Sequence, residues 1–136
     1  MEKTLFEKIL DGEIPAKKIY EDEHTLVILD AFPVSPGHLL VLPKKERVTS
    51  IIQLSEDARN AFFLTVSKMN QHLREVLACE GVNMLVNDQE AAGPHVVFLH
   101  LHLIPRWKND GVDVRVQSLF KSSEDQLLRI QKKLQL

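Results

Sequence analysis

Val96-Val97-Phe98-Leu99-His100-Leu101-His102-Leu103-Ile104 is the most strongly apolar run of the chain and lies between Pro94 and Pro105. Its length and its β-branched and aliphatic content predict a strand over 96–104. Pro105 is expected to close that strand, because proline has no amide to add to a ladder. Strand side chains alternate between faces, so Phe98, His100 and His102 share one face and Val97, Leu99, Leu101 and Leu103 the other. The uniformly aliphatic odd set marks the core face. The two imidazoles then stand about 6.5 to 7 Å apart along the backbone. They are expected to look toward solvent, a cleft or a ligand, since burying both without partners is costly.

Outward from this strand, residues 82–86 read as another strand and 87–94 as a loop. Before them Phe62, Val66, Met69, Leu73 and Val76 recur at alternating intervals of four and three, the stripe of one long helix. Ser55 is placed to cap it, with Glu56 and Asp57 at the positive end of its dipole. His72 falls beside the stripe and reads as a surface residue, and Cys79, at the helix end with no flanking cation, as a passive small residue. A strand over 38–42 follows a loop, 30–37, that has two prolines and a glycine and is a candidate site wall. Residues 18–20 and 25–29 read as a hairpin across Glu21-Asp22-Glu23. Leu5, Phe6, Ile9 and Leu10 predict a short amphipathic helix that stops at Asp11-Gly12. After Gly111 the chain turns polar, and Leu127, Ile130 and Leu134 predict a tail helix capped near Ser122 or Ser123. The class is α+β, with a mainly antiparallel sheet.

At 136 residues, 44% hydrophobic and 26% charged, the chain has the size and balance of one domain. Such a domain buries about two thirds of its unfolded surface without disulfides or structural metal. The single cysteine excludes disulfide scaffolds and zinc ribbons. Seventeen Lys and Arg against nineteen Asp and Glu give a net charge of −2, so no specific nucleic-acid binding is expected. The N-terminal Met1-Glu2-Lys3-Thr4-Leu5-Phe6-Glu7 puts charges where a secretory leader needs an apolar run, and no later stretch suits a membrane span. The expectation is a soluble, cytoplasmic protein.

Three chemistries fit two histidines at i and i+2 on a strand. They can be structural, hydrogen-bonded to neighbours. They can ligate a metal, which requires a third protein ligand such as His38 or Asp30, although no spacing singles these out. Or one imidazole can be a nucleophile toward phosphorus or carbonyl while the other stabilises the transition state.

Asn87-Asp88-Gln89-Glu90-Ala91-Ala92-Gly93 followed by His100-Leu101-His102-Leu103-Ile104-Pro105-Arg106 resembles the signature region of the histidine triad (HIT) family of nucleotide hydrolases and transferases. Three further blocks match in the family's order: residues 6–17, Ile28-Leu29-Asp30, and residues 36–44, which begin Pro36-Gly37-His38. The resemblance spans residues 1–110, taken as the HIT domain, with 111–136 a C-terminal tail of the same domain. It implies an antiparallel sheet of about five strands, extended across a homodimer, and a cleft for a nucleoside monophosphate unit. It also implies catalytic roles for His100, as the nucleophile that forms a nucleotidyl-histidine, for His102, which supports phosphate oxygens, and for His38 beside them. Asp30 would bind the ribose hydroxyls, Asn87 the phosphate, and Phe6, Ile9, Ile14 and Leu29 the base.

The departures from the family pattern are as specific. Phe98 stands in place of the first histidine; it is counted with the substrate-binding residues, and is either a lost hydrogen-bonding group or a space-filler under the strand. Pro94 and His95 replace a Gln and a Ser or Thr whose donors reach the phosphate or bridging atom. His95 could supply the missing contact only if a bulge or bend turned it toward His100. Thr4 and Glu7 stand where some members carry a Cys-x-x-Cys zinc motif, and Glu46 where a histidine is common, so neither metal nor cofactor is expected. The expected activity is cleavage at the α-phosphorus of dinucleoside polyphosphates or nucleoside phosphoramidates. The alternative is a nucleotide-binding or interaction protein of this fold with little catalysis.

Overall fold

In the computed structural model, residues 2–116, 118 and 121–136 are described, so positions 117, 119 and 120 of the expected tail lie outside the described residues. Five strands form one antiparallel sheet: β1 (Lys18–Glu21), β2 (Thr25–Leu29), β3 (Leu39–Pro43), β4 (Gly81–Leu85) and β5 (Leu101–Arg106). Their spatial order is β1-β2-β3-β5-β4, which makes β4 an edge. Helices α1 (Leu5–Leu10), α2 (Glu56–Leu77) and α3 (Glu124–Leu134) complete the elements.

Local chemistry explains the boundaries. In the β1–β2 turn, Asp22 Oδ1 accepts the amides of His24 and Thr25 at 2.9 and 2.8 Å. Ser55 Oγ caps α2 by accepting the Ala58 amide, and Ser123 Oγ caps α3 by accepting the Gln126 amide. Thr4 and Glu7 form a reciprocal capping box on α1. Glu46 accepts both the amide and the hydroxyl of Ser55. The positions where some HIT proteins hold zinc ligands are thus helix-terminus contacts in this chain.

Each face of the sheet has its own core. Val27, Leu39, Val41, Leu101 and Leu103 pack against Phe62, Val66, Met69 and Leu73 of α2. On the opposite face Leu26, Ile28, Leu40, Leu42 and Phe98 pack against Phe6 and Ile9 of α1. Val76, expected on the buried stripe, is 63% exposed. A 3.5-residue repeat on a straight helix turns by ~20° per heptad, so over two heptads the stripe swings off the sheet.

The histidine strand also differs from expectation. The ladder begins at Leu101, not at residue 96, and runs through Pro105 to Arg106. Residues 95–98 are bent: the Phe98 amide donates to Val96 O at 3.0 Å and the Leu99 amide to Val48 O at 2.9 Å. The reason is the partner strand. β3 pairs with β5 only as far as Val41↔Leu101, while Leu42 and Pro43 continue along β2 alone. Pro105 is accommodated because β3 ends its pairing at Leu103, leaving only β4 beside it. Its carbonyl accepts the Ser35 hydroxyl at 2.7 Å, which pins the 30–37 loop to the sheet.

Candidate active site

The face of the sheet that carries the smaller core also floors a cleft of about 1000 Å³. Ile28, Leu40, His100, His102 and Ile104 form the floor, α1 and the 14–17 segment one wall, and the 30–38 loop another. Phe6, Ile9, Ile14, Leu29, Asp30, His38, Asn87, His95, His100 and His102 all line it. Phe98 does not. It is 4% exposed, enclosed by the apolar side chains under α1, with its ring 6.2 Å from that of Phe6. Its expected place in the substrate site is therefore corrected: α1 covers that part of the sheet face, which strand periodicity alone does not reveal.

What Phe98 contributes to the cleft is its carbonyl. His100 Nδ1 lies 2.6 Å from Phe98 O, and a carbonyl only accepts, so Nδ1 carries the proton and Nε2 the lone pair. Phe6 packs on the same imidazole, ring centroids 4.8 Å apart. Burial lowers the His100 pKa from 6.5, opposed by the Phe98 carbonyl and the Asp30 charge. The result is a neutral, oriented imidazole whose free nitrogen is Nε2.

His102 is set by a relay. The Val34 amide donates to His38 Nδ1 at 3.0 Å, so His38 carries its proton on Nε2, which lies 2.9 Å from His102 Nδ1. His102 Nδ1 is then the acceptor and its Nε2 bears a proton. Burial, followed by the neighbouring His100 and His38, pushes the His102 pKa down to about 4, against the pull of Asp30. Burial also lowers that of His38. His102 is a neutral donor near pH 7.

Asp30, His38 and His102 offer ligand atoms within 4.8 Å of one another, the only such group among the described residues. The donor set does not fit a cation. With the Val34 amide aimed at His38 Nδ1, the Nε2 that faces the group already holds a proton. Asp30 Oδ1 accepts the Phe32 amide at 2.9 Å, and Oδ2 lies 3.5 Å from His38 Nε2. Arg106 points elsewhere, its guanidinium committed to Asp110, Asn83 and the Val112 carbonyl.

The sequence reading missed Lys17, Leu85 and Val114 as lining residues, while Phe32 comes from the 30–37 loop expected to form a wall. Leu85 had a usable signal, since strand pairing across from His102 puts it on the same face. Val114 had none. It reaches the cleft because the Arg106–Asp110 clamp turns the chain after β5.

Residues 11–109 match the HIT domain family. The chain is 39% identical over 111 residues to Protein hit of Bacillus subtilis (strain 168), covering 81% of this chain and 76% of that protein. It is 35% identical over 106 residues to adenylylsulfatase HINT3 of Arabidopsis thaliana, covering 78% of this chain and 53% of HINT3. A crystal structure from Streptococcus mutans UA159 superposes with a TM-score of 0.86 at 32% identity, covering 98% of this chain and 84% of the other. The chain belongs to the HIT family. Its α+β fold, with a five-stranded antiparallel sheet, one long packed helix and shorter helices near each end, is the one expected.

Proposed function

We propose that the chain binds a nucleoside monophosphate unit in the cleft and cleaves its α-phosphorus bond through a nucleotidyl-histidine on His100. The observation that carries this reading is the 2.6 Å contact of His100 Nδ1 with Phe98 O, which leaves Nε2 as the nucleophilic nitrogen of a buried, neutral imidazole. Nε2 attacks phosphorus, the P–N bond forms, and the bond to the leaving group breaks with its electron pair departing on that group. His102 Nε2–H donates to a phosphate oxygen as negative charge develops there. Water then attacks phosphorus, the P–N bond breaks, and the nucleoside monophosphate is released. Asp30 accepts the ribose hydroxyls, Asn87 donates to the phosphate, and Phe6, Ile9, Ile14 and Leu29 enclose the base.

The substrates proposed are phosphoanhydrides and phosphoramidates, dinucleoside polyphosphates among them. The adenylylsulfatase name of HINT3 supports attack at an adenylyl phosphorus. The core position of Phe98 supports activity, because a side chain outside the cleft removes no polar group from it. The test is incubation with a panel of such nucleotides, a base quench that preserves the P–N bond, and mass spectrometry. A nucleotidyl adduct is expected on the wild type and none on His100→Ala; an adduct on the variant rejects the assignment.

The working unit we propose is a cytoplasmic homodimer joined through the β4 edge. Supporting it are the exposed apolar side chains of Phe63 and Met84, at 47% and 59%, which lie together beside the unpaired backbone of the edge strand. Among the described residues no helix is long and apolar enough to cross a membrane. Light scattering should give twice the chain mass for the wild type.

A further inference from the structure

We propose that His95 is a second catalytic imidazole, the proton donor to the leaving group, an assignment that rests on the hydrolase reading above. In an unbroken strand His95 and His100, five residues apart, point to opposite faces. Here the backbone bends over residues 95–98, where the Phe98 amide turns back to Val96 O, and the ladder starts only at Leu101. The bend brings both imidazoles to one cleft. Two left-handed positions in the preceding loop, Gln89 with φ 74° and Gly93 with φ 80°, steer the chain to that point.

The other imidazoles of the cleft, with Asn87 and Asp30, are unsuited to this step. His100 has its Nδ1 proton on the Phe98 carbonyl and must keep Nε2 unprotonated to attack. His38 and His102 are joined to each other, and burial depresses both toward the neutral form. The Asn87 amide is not an acid. Asp30 Oδ1 is held by the Phe32 amide. The imidazole of His95 is exposed and, among the described residues, has no hydrogen-bond or ion-pair partner. An imidazole can both give and take a proton.

The step balances as follows. His100 Nε2 bonds to phosphorus while the bond from phosphorus to the leaving atom breaks. The departing electron pair takes the proton of the His95 imidazolium, leaving neutral His95. In the second half, neutral His95 removes a proton from the attacking water, the P–N bond breaks, and its electron pair returns to His100 Nε2.

A leaving group that departs as a stable anion needs no such proton, whereas an alkylamine does. Wild type, His95→Gln and His95→Ala are therefore compared on adenosine 5′-(4-nitrophenyl phosphate) and on the N-hexyl phosphoramidate of adenosine monophosphate. The ratio of phosphoramidate to nitrophenyl turnover, read as leaving-group release in a single turnover before hydrolysis of the shared adduct, is expected to fall about 10²-fold in both variants. Imidazole added to His95→Ala should restore part of the phosphoramidate rate. An unchanged ratio, whether turnover is kept or lost equally on both substrates, overturns the role of His95. If the wild type itself releases no nitrophenolate and forms no adduct, it is the hydrolase reading that fails.

Discussion

Residues 101–106 are held in the sheet, 101–103 paired with β3 and 102–106 with β4, whereas residues 95–100 are tethered by single contacts to Val96 O and Val48 O. The two halves come from one apolar run of sequence, yet they divide the labour. The paired half is a frame: Leu101 and Leu103 are buried against α2, and His102 is held at a fixed register opposite Leu40 and Leu85. The bent half is where backbone groups are free of the ladder, so that the Phe98 carbonyl can receive a side chain and His95 can turn into the cleft. Stability is concentrated in one half and proton placement in the other.

That division predicts opposite responses to substitution. Leu103→Ala, at a site with no exposure, should cost about 2–5 kcal/mol in chemical denaturation while the folded fraction keeps its turnover. A large loss of turnover per folded molecule would break the division. Phe98→His puts an imidazole among the apolar side chains of Phe6, Ile9, Leu26, Ile28, Leu40 and Leu42. It should destabilise by about 1–3 kcal/mol and leave turnover no higher than in wild type. A tenfold rise in activity would show that the side chain at this position can reach the cleft. The last test is pH dependence. The unfolded chain protonates His102 near 6.5, and the folded chain only near 4. Across that window the unfolded state binds more protons, so stability present above about pH 6.5 is lost as the pH falls toward 4. Melting temperature should drop through this range, and His102→Gln should flatten the slope.

Most of the architecture was legible because it is written in local periodicity. The α1 stripe, the hairpin, the 30–37 loop, the α2 stripe from Phe62 to Leu73 and the capped tail helix all follow from nearest-neighbour patterns. The start of β5 was not, since a strand lasts only as long as its partner, and β3 leaves β5 after Val41 for reasons held elsewhere in the chain. The face assignment of Phe98 was right and its surroundings were not. Alternation specifies a face of the sheet, but only the docking of α1 decides which part of that face is covered. The cleft residues quoted from the family blocks are brought together. The relay through Val34, His38 and His102 was invisible, because its first donor is a peptide group and residue type says nothing about where a peptide group points.

The imidazole tautomers of the cleft are thus specified by main-chain atoms, the Phe98 carbonyl for His100 and the Val34 amide for the His38–His102 pair. The genetic code cannot edit a carbonyl, and it can delete an amide only by writing proline. Side chains at 98 and 34 are therefore open to evolutionary turnover that leaves the protonation pattern of the site intact. A chain with phenylalanine at position 98 thus keeps the same arrangement of lone pair and proton. Searches that score such motifs by counting histidines will undervalue proteins of this kind.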